Sequence, residues 1–245
     1  FKDISDVESR MYPSYEYSKE YLESDEYTKP FYMCEYVDSI STGDVYPFWK
    51  LVDENDNFCG GCIWEWCDHN VNIPDEDGKP RYFYGGDFGD RPSDYNFSGN
   101  GISYGGERNP SPKMQEVKFN YQNITVNIED RTFTVINKNL FVNTDTFDAW
   151  ISLARDGAEV LKTKASVSLS PLHEDTFDLP EEILKAMDGA VEMAGKGYKL
   201  PEFTVTVSFT LKEDTLWAKA GHEVAFGQKV YKVEVPAYEC KKPLK

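Results

Sequence analysis

Phe31-Tyr32-Met33-Cys34-Glu35-Tyr36, Val45-Tyr46-Pro47-Phe48-Trp49-Lys50-Leu51-Val52 and Phe58-Cys59-Gly60-Gly61-Cys62-Ile63-Trp64-Glu65-Trp66-Cys67 decide the fold of the first half of the chain. The first and third stretches are apolar at consecutive positions, as strands of a parallel sheet buried on both faces are. The second places Val45, Trp49 and Val52 on one helical face, with Pro47 tolerable only in a first turn. Strand, helix, strand is the alternation of a parallel sheet or barrel. Downstream, Pro74-Asp75-Glu76-Asp77-Gly78-Lys79-Pro80 predicts a turn and Arg81-Tyr82-Phe83-Tyr84 an aromatic strand.

After Tyr121 the pattern changes to alternation with period two, as in Ile124-Thr125-Val126-Asn127-Ile128, Thr132-Phe133-Thr134-Val135-Ile136 and Phe203-Thr204-Val205-Thr206-Val207-Ser208-Phe209. Half-buried antiparallel strands alternate in this way. Six to eight such runs predict an immunoglobulin-like β-sandwich. The stretch 180–194 reads equally as a short helix, with Leu184, Met187, Val191 and Ala194 on one face, or as a long loop. The boundary is placed near Asn120, giving domains 1–120 and 121–245.

Composition supports that division. The 245 residues hold 43 acidic and 26 basic side chains, a net charge of −17. Such a chain repels polyanions, so nucleic acid and acidic membrane surfaces are not expected partners. Residues 1–120 carry 24 of the acids against 11 bases, with 23 of the 36 Phe, Tyr and Trp residues. An aromatic-lined, carboxylate-rich site is therefore expected in the first half. No apolar run approaches the ~20 residues of a membrane span. The five cysteines are too few and odd in number for a disulfide framework, which leads to the expectation of a reducing, cytoplasmic setting. The triplets Asn96-Phe97-Ser98 and Asn123-Ile124-Thr125 fit a glycosylation acceptor, but nothing else points to secretion. The opening Phe1-Lys2-Asp3-Ile4 carries no leader and reads as a strand approach cut from something longer.

Glu35 follows an apolar strand, the place where barrel enzymes put catalytic carboxylates. Cys59 and Cys62, followed by Cys67 and His69, have part of the spacing of a zinc site, although a strand through residues 63–66 would splay Cys62 and Cys67 onto opposite faces. The glycine-rich stretches 84–90 and 99–101 suit either a hard cation or tight turns. No Ser-His-Asp arrangement is evident.

Several blocks together resemble the large β-galactosidases of glycoside hydrolase family 2. They are Ser9-Arg10-Met11-Tyr12-Pro13-Ser14, Lys29-Pro30-Phe31-Tyr32-Met33-Cys34-Glu35-Tyr36, Gly60-Gly61-Cys62-Ile63-Trp64-Glu65-Trp66-Cys67-Asp68, the stretch 84–90, and Asn96-Phe97-Ser98-Gly99-Asn100-Gly101. Pro110-Ser111-Pro112-Lys113-Met114-Gln115-Glu116-Val117-Lys118 resembles the exit from that family's barrel. Trp217-Ala218-Lys219-Ala220-Gly221-His222 resembles a late segment of its next sandwich. The resemblance implies the carboxyl-terminal portion of a TIM (β/α)8 barrel followed by the immunoglobulin-like domain.

By the same resemblance Glu35 is the nucleophile, Tyr12 the tyrosine beside it and Trp64 the indole under the galactosyl ring. Phe97, through its carbonyl, and Asn100, through its side chain, correspond to positions at a sodium site. Asp38 stands where the family has a histidine that contacts sugar hydroxyls, and the loop after Glu35 is shorter. The family's general acid/base and its magnesium ligands lie upstream of the matched blocks. The expectation is thus a retaining β-galactosidase-like hydrolase bearing one of two required carboxylates. Sodium and magnesium belong to the intact enzyme, with no well-formed metal expected in this chain. Partners would be a β-galactoside, and the remainder of the enzyme or another copy to cover the open barrel edges. The competing expectation is a carbohydrate-binding or scaffold segment without catalysis.

Overall fold

The computed structural model describes residues 4–37, 45–95, 97–194 and 201–232. The chain divides into two compact units, Phe1–Tyr121 and Gln122–Lys245.

The first unit begins with β1 (Glu8–Met11), α1 (Tyr15–Glu23), β2 (Phe31–Tyr36), α2 (Val45–Glu54) and β3 (Phe58–Ile63). The strands pair in parallel in the order β1-β2-β3. Parallel neighbours need crossover connections, which the two helices supply. Ser14 caps α1, its Oγ accepting from the Tyr17 N–H at 3.1 Å. The helices bury one face of the sheet: Phe31, Met33, Tyr36 and Phe58 pack with Tyr21 of α1 and Leu51 of α2. Tyr21 stacks on Tyr27 at 4.7 Å and meets Phe31 at 4.8 Å, so rings make up much of this small core.

Two expectations change here. β3 ends at Ile63, because residues 65–68 leave it to bond with the segment 100–103. The aromatic strand expected at 81–84 is found as the short β5 (Tyr82–Phe83), paired antiparallel with β4 (Val71–Asn72) in a hairpin. The unit closes with α3 (Lys113–Tyr121), tied to α2 by the Val45 N–H on Glu116 Oε1 at 2.9 Å and by Trp49 against Tyr121 at 4.0 Å.

The second unit contains β6 (Ile124–Ile128), β7 (Thr132–Asn137), β8 (Phe147–Arg155), β9 (Ala158–Ala165), β10 (Glu174–Asp178), α4 (Glu181–Ala194), β11 (Glu202–Leu211) and β12 (Glu223–Lys232). Of the two readings of 180–194, the helix is the one found. Two antiparallel sheets form, β10-β7-β6 and β12-β11-β8-β9. Phe203, Val205, Val207 and Phe209 alternate into one core with Phe133 and Val135 of the other sheet and Ile183 of α4. Their half-buried neighbours on the other face are the intervening Thr and Ser, as period two requires. β12 approaches β6 so closely that a Cβ at Gly227 would lie 2.3 Å from the Val126 carbonyl oxygen. Only glycine permits that approach.

Asn137 is fully buried at the end of β7, and its Nδ2 reaches the carbonyls of Val142, Leu169 and Ser170 at 2.9, 3.1 and 3.1 Å. Its Oδ1 accepts from the Asn139 N–H at 3.1 Å. Truncation strands several of these groups in the interior, so Asn137→Ala should lower stability by about 3 kcal/mol. Urea denaturation followed by the fluorescence of Trp150 would measure the loss, and a change below ~1 kcal/mol would contradict this role for the amide.

Candidate active site

Parallel pairing brings the carboxyl ends of β1, β2 and β3 to one edge, and three of the expected residues lie there. Tyr12 follows β1, and its N–H donates to the Glu35 carbonyl at 2.8 Å. Glu35 is the penultimate residue of β2. Trp64 follows β3, and its N–H donates to the Tyr36 carbonyl at 3.2 Å. Backbone bonds thus hold the three positions side by side, although they are far apart in sequence.

A bulge decides where Glu35 points. Arg10 pairs with Met33 but Met11 pairs with Glu35, and on the other side Met33 pairs with Gly61 while Tyr36 pairs with Ile63. Against both neighbours β2 carries one extra residue between Met33 and Tyr36, the definition of a bulge. Phe31, Met33 and Tyr36 therefore all bury on the helix side. Strict alternation would have sent Glu35 into that core with Phe31 and Met33. The extra residue releases it to a half-buried position. The turns on either side are strained, with φ of 46° at Tyr12 and 52° at Val37. A left-handed β-branched residue is an outlier that surrounding structure must enforce, and such outliers cluster at functional sites.

Asn100 reaches the same region by main-chain pairing. The Glu65 N–H donates to its carbonyl at 3.2 Å, and the Ile102 N–H donates to the Glu65 carbonyl at 2.9 Å. Asp68 secures the loop by accepting from the Gly101 N–H at 2.9 Å and the Gly105 N–H at 3.3 Å. A Cβ at Gly101 would sit 2.2 Å from the Asp68 nitrogen, so glycine is required for the two segments to meet. The Asn100 side chain is fully buried and its Nδ2 donates to Glu65 Oε1. The other carboxylate oxygen of Glu65 accepts from His69 Nε2, and the His69 ring stands edge-on to Trp64 at 6.2 Å and 86°. Phe97, in contrast, is 44% exposed on the loop before Asn100. Asp38 lies outside the described residues.

Sequence reasoning treated Glu65 only as part of a strand and His69 as a metal ligand. The continuous apolar pattern of the segment gives no sign of their pairing; an i,i+4 acid-imidazole pair just past a strand is the one available clue. The zinc reading of Cys59, Cys62, Cys67 and His69 is set aside. Among the described residues no three such side chains gather as a metal site. Cys62 Sγ lies 2.7 Å from the Tyr32 hydroxyl, and His69 is turned to Glu65. For a hard cation the chemistry at Asn100 is suitable, because its amide nitrogen is committed to Glu65 and its oxygen therefore faces the other way.

Residues 1–126 match the family described as "Glycosyl hydrolases family 2, TIM barrel domain", and residues 133–231 match "Beta-galactosidase, domain 4". A β-galactosidase of Clostridium acetobutylicum is 41% identical over 228 residues, which cover 92% of this chain and 24% of that protein. One from Halalkalibacterium halodurans is 40% identical over 231 residues, covering 94% and 22% respectively. One from Priestia megaterium is 34% identical over 248 residues, covering 98% and 23%. The chain spans about a quarter of the length of the curated relatives it matches.

Next to Glu35, the Tyr36 hydroxyl is hydrogen-bonded to that of Tyr121, which anchors α3 beneath the strand. Burial, reinforced for Tyr36 by this bond, raises its ionisation well above the usual phenol range; burial raises Tyr121 as well. Unfolded tyrosine ionises near pH ~10, so the folded state keeps phenol protons that the unfolded state releases. The stability this pair contributes is complete below that pH and is lost progressively above it. The first unit should therefore weaken between pH ~10 and ~11 more steeply than its Tyr36→Phe/Tyr121→Phe variant. Denaturant midpoints measured across that range would test this, and identical slopes for the two proteins would refute it.

Proposed function

The chain belongs to glycosyl hydrolase family 2, and on that footing we propose that Glu35 is the nucleophile of a retaining β-galactosidase-type hydrolase. The observation that carries the reading is the gathering of Tyr12, Glu35 and Trp64 at the carboxyl ends of three consecutive parallel strands, the edge on which barrel enzymes build their sites. The three strands are the last part of a (β/α)8 barrel, and β1 offers its open edge to the strands that would complete it. The second unit, two antiparallel sheets around one core, is an immunoglobulin-like sandwich.

In this mechanism Glu35 attacks the anomeric carbon and forms a covalent glycosyl-enzyme as the aglycone oxygen departs with a proton. Water then attacks the same carbon and frees Glu35. Trp64 offers an aromatic face to the apolar side of the galactosyl ring. Tyr12, held against the Glu35 carbonyl, orients the nucleophile, and Asp38 contacts sugar hydroxyls. The second carboxyl group must stand ~5 to 5.5 Å from Glu35. Glu65 does not fill that part, since both its oxygens accept hydrogen bonds within the protein. The acid/base comes from sequence outside these 245 residues, so the chain alone should not hydrolyse an aryl galactoside. Sodium would be held by the Asn100 oxygen and the Phe97 carbonyl with further ligands from elsewhere, and magnesium by none of these residues. The substrate is a β-galactoside, and the unpaired cysteines Cys34, Cys59, Cys62 and Cys67 suit a reducing cytoplasm.

A graft of residues 1–231 in place of the matching segment of the clostridial relative should hydrolyse 2-nitrophenyl galactoside, with Glu35→Gln lowering kcat by at least about 10³-fold. A 2-deoxy-2-fluorogalactosyl probe should label the peptide that contains Glu35. Label on another carboxylate, or near-normal turnover in Glu35→Gln, would end the assignment.

A further inference from the structure

Glu65 has no part in the proposed chemistry, yet both of its carboxylate oxygens are engaged. Its side chain is 18% exposed and its two oxygens accept from two different segments, Asn100 Nδ2 and His69 Nε2. Its main-chain N–H and carbonyl join the same loop at 3.2 and 2.9 Å. It sits next to Trp64, with which it shares a cis peptide bond.

We infer that Glu65 is a positioning residue: its carboxylate sets which atom the Asn100 amide presents to the site and holds the His69 ring edge-on against Trp64. The inference rests on the reading of Trp64 and Asn100 as ligand-facing groups. A carboxylate only accepts hydrogen bonds, so Asn100 must turn its NH2 toward Glu65 and its Oδ1 away. Likewise His69 must carry a proton on Nε2. One acidic side chain thereby makes Asn100 an acceptor, as a cation or a sugar hydroxyl needs, and fixes the imidazole beside the indole.

The identity of the group matters more than its bulk. Glutamine has one acceptor and one donor. In Glu65→Gln the oxygen can still take the His69 proton, but the NH2 then faces Asn100. Asn100 keeps a hydrogen bond by flipping, which turns its NH2 outward. The fold loses little, while the site meets a donor where it had an acceptor. Adding Asn100→Asp reverses this: the new carboxylate accepts from glutamine with one oxygen and presents the other.

Two measurements test the inference. On the 245-residue chain, ¹⁵N NMR should find neutral His69 protonated on Nε2 and the Asn100 NH2 slow to exchange, and Glu65→Ala should abolish both signatures. In the graft, Glu65→Gln should raise KM about tenfold with kcat changed less than about threefold, the signature of lost uniform binding. Glu65→Gln/Asn100→Asp should return KM to within about threefold of the parent. His69 protonated on Nδ1, or an Asn100 amide that exchanges freely, would overturn the inference. So would a Glu65→Gln graft that loses thermal stability without a change in KM, which is the behaviour of a simple strut. If the fluorosugar fails to label Glu35, the catalytic reading falls, whereas the NMR measurements still decide the role of Glu65.

Discussion

One extra residue in β2 governs the first unit. A parallel sheet covered on one side by α1 and α2 demands apolar groups at every second position, and β2 meets that demand with Phe31 and Met33. Continued without interruption, the same rhythm would bury Glu35 as an unpaired carboxylate among aromatic rings, at a cost of several kcal/mol. The bulge seen against both neighbouring strands shifts the phase, so that Tyr36 takes the buried position and Glu35 leaves it. The core gains a large ring, the strand end gains a usable acid, and the strain appears at Tyr12 and Val37. Packing and candidate chemistry here are two results of one register change.

The first unit is strongly acidic, but its acids fall into physically different classes. Some form exposed pairs with nearby lysines, such as Lys19 with Glu23 and Lys50 with Glu54 at 3.6 and 3.7 Å, and contribute little in water. Asp68 and Glu65 differ because each accepts from the 98–105 segment, Asp68 through both oxygens and Glu65 through one, its other oxygen taking His69. These two carboxylates replace the missing strand order beyond Ile63. An irregular segment keeps a fixed shape when side chains satisfy the backbone groups that a sheet would otherwise pair. Glu35 belongs to neither class, being placed by the sheet itself.

Much of the architecture was legible from local pattern. The continuous apolar run at 31–36, the helical spacing at 45–52 and the alternation after residue 121 became the elements expected of them, and the run at 58–67 became a strand as far as Ile63. The misreadings came where pairing partners are distant. β3 stops at Ile63 because residues 100–103 compete for the next backbone groups, and Tyr82–Phe83 pairs with Val71–Asn72 across a turn. Neither partner is visible in a window of ten residues. His69 illustrates the same limit, since thiol and imidazole spacing suggested a metal while the fold gave the ring to Glu65.

By itself the sequence determined the class of each unit, the strand that carries Glu35 and the family resemblance of the blocks around it, because periodicity and motif spacing are properties of neighbouring residues. Only the tertiary structure decided that Glu35 leaves the core, that Tyr12 and Trp64 flank it, and that Glu65 fixes Asn100 and His69. Those outcomes depend on register between strands and on hydrogen bonds between segments up to 35 residues apart, and a chain pays attention to such partners only once its backbone groups must be satisfied away from water.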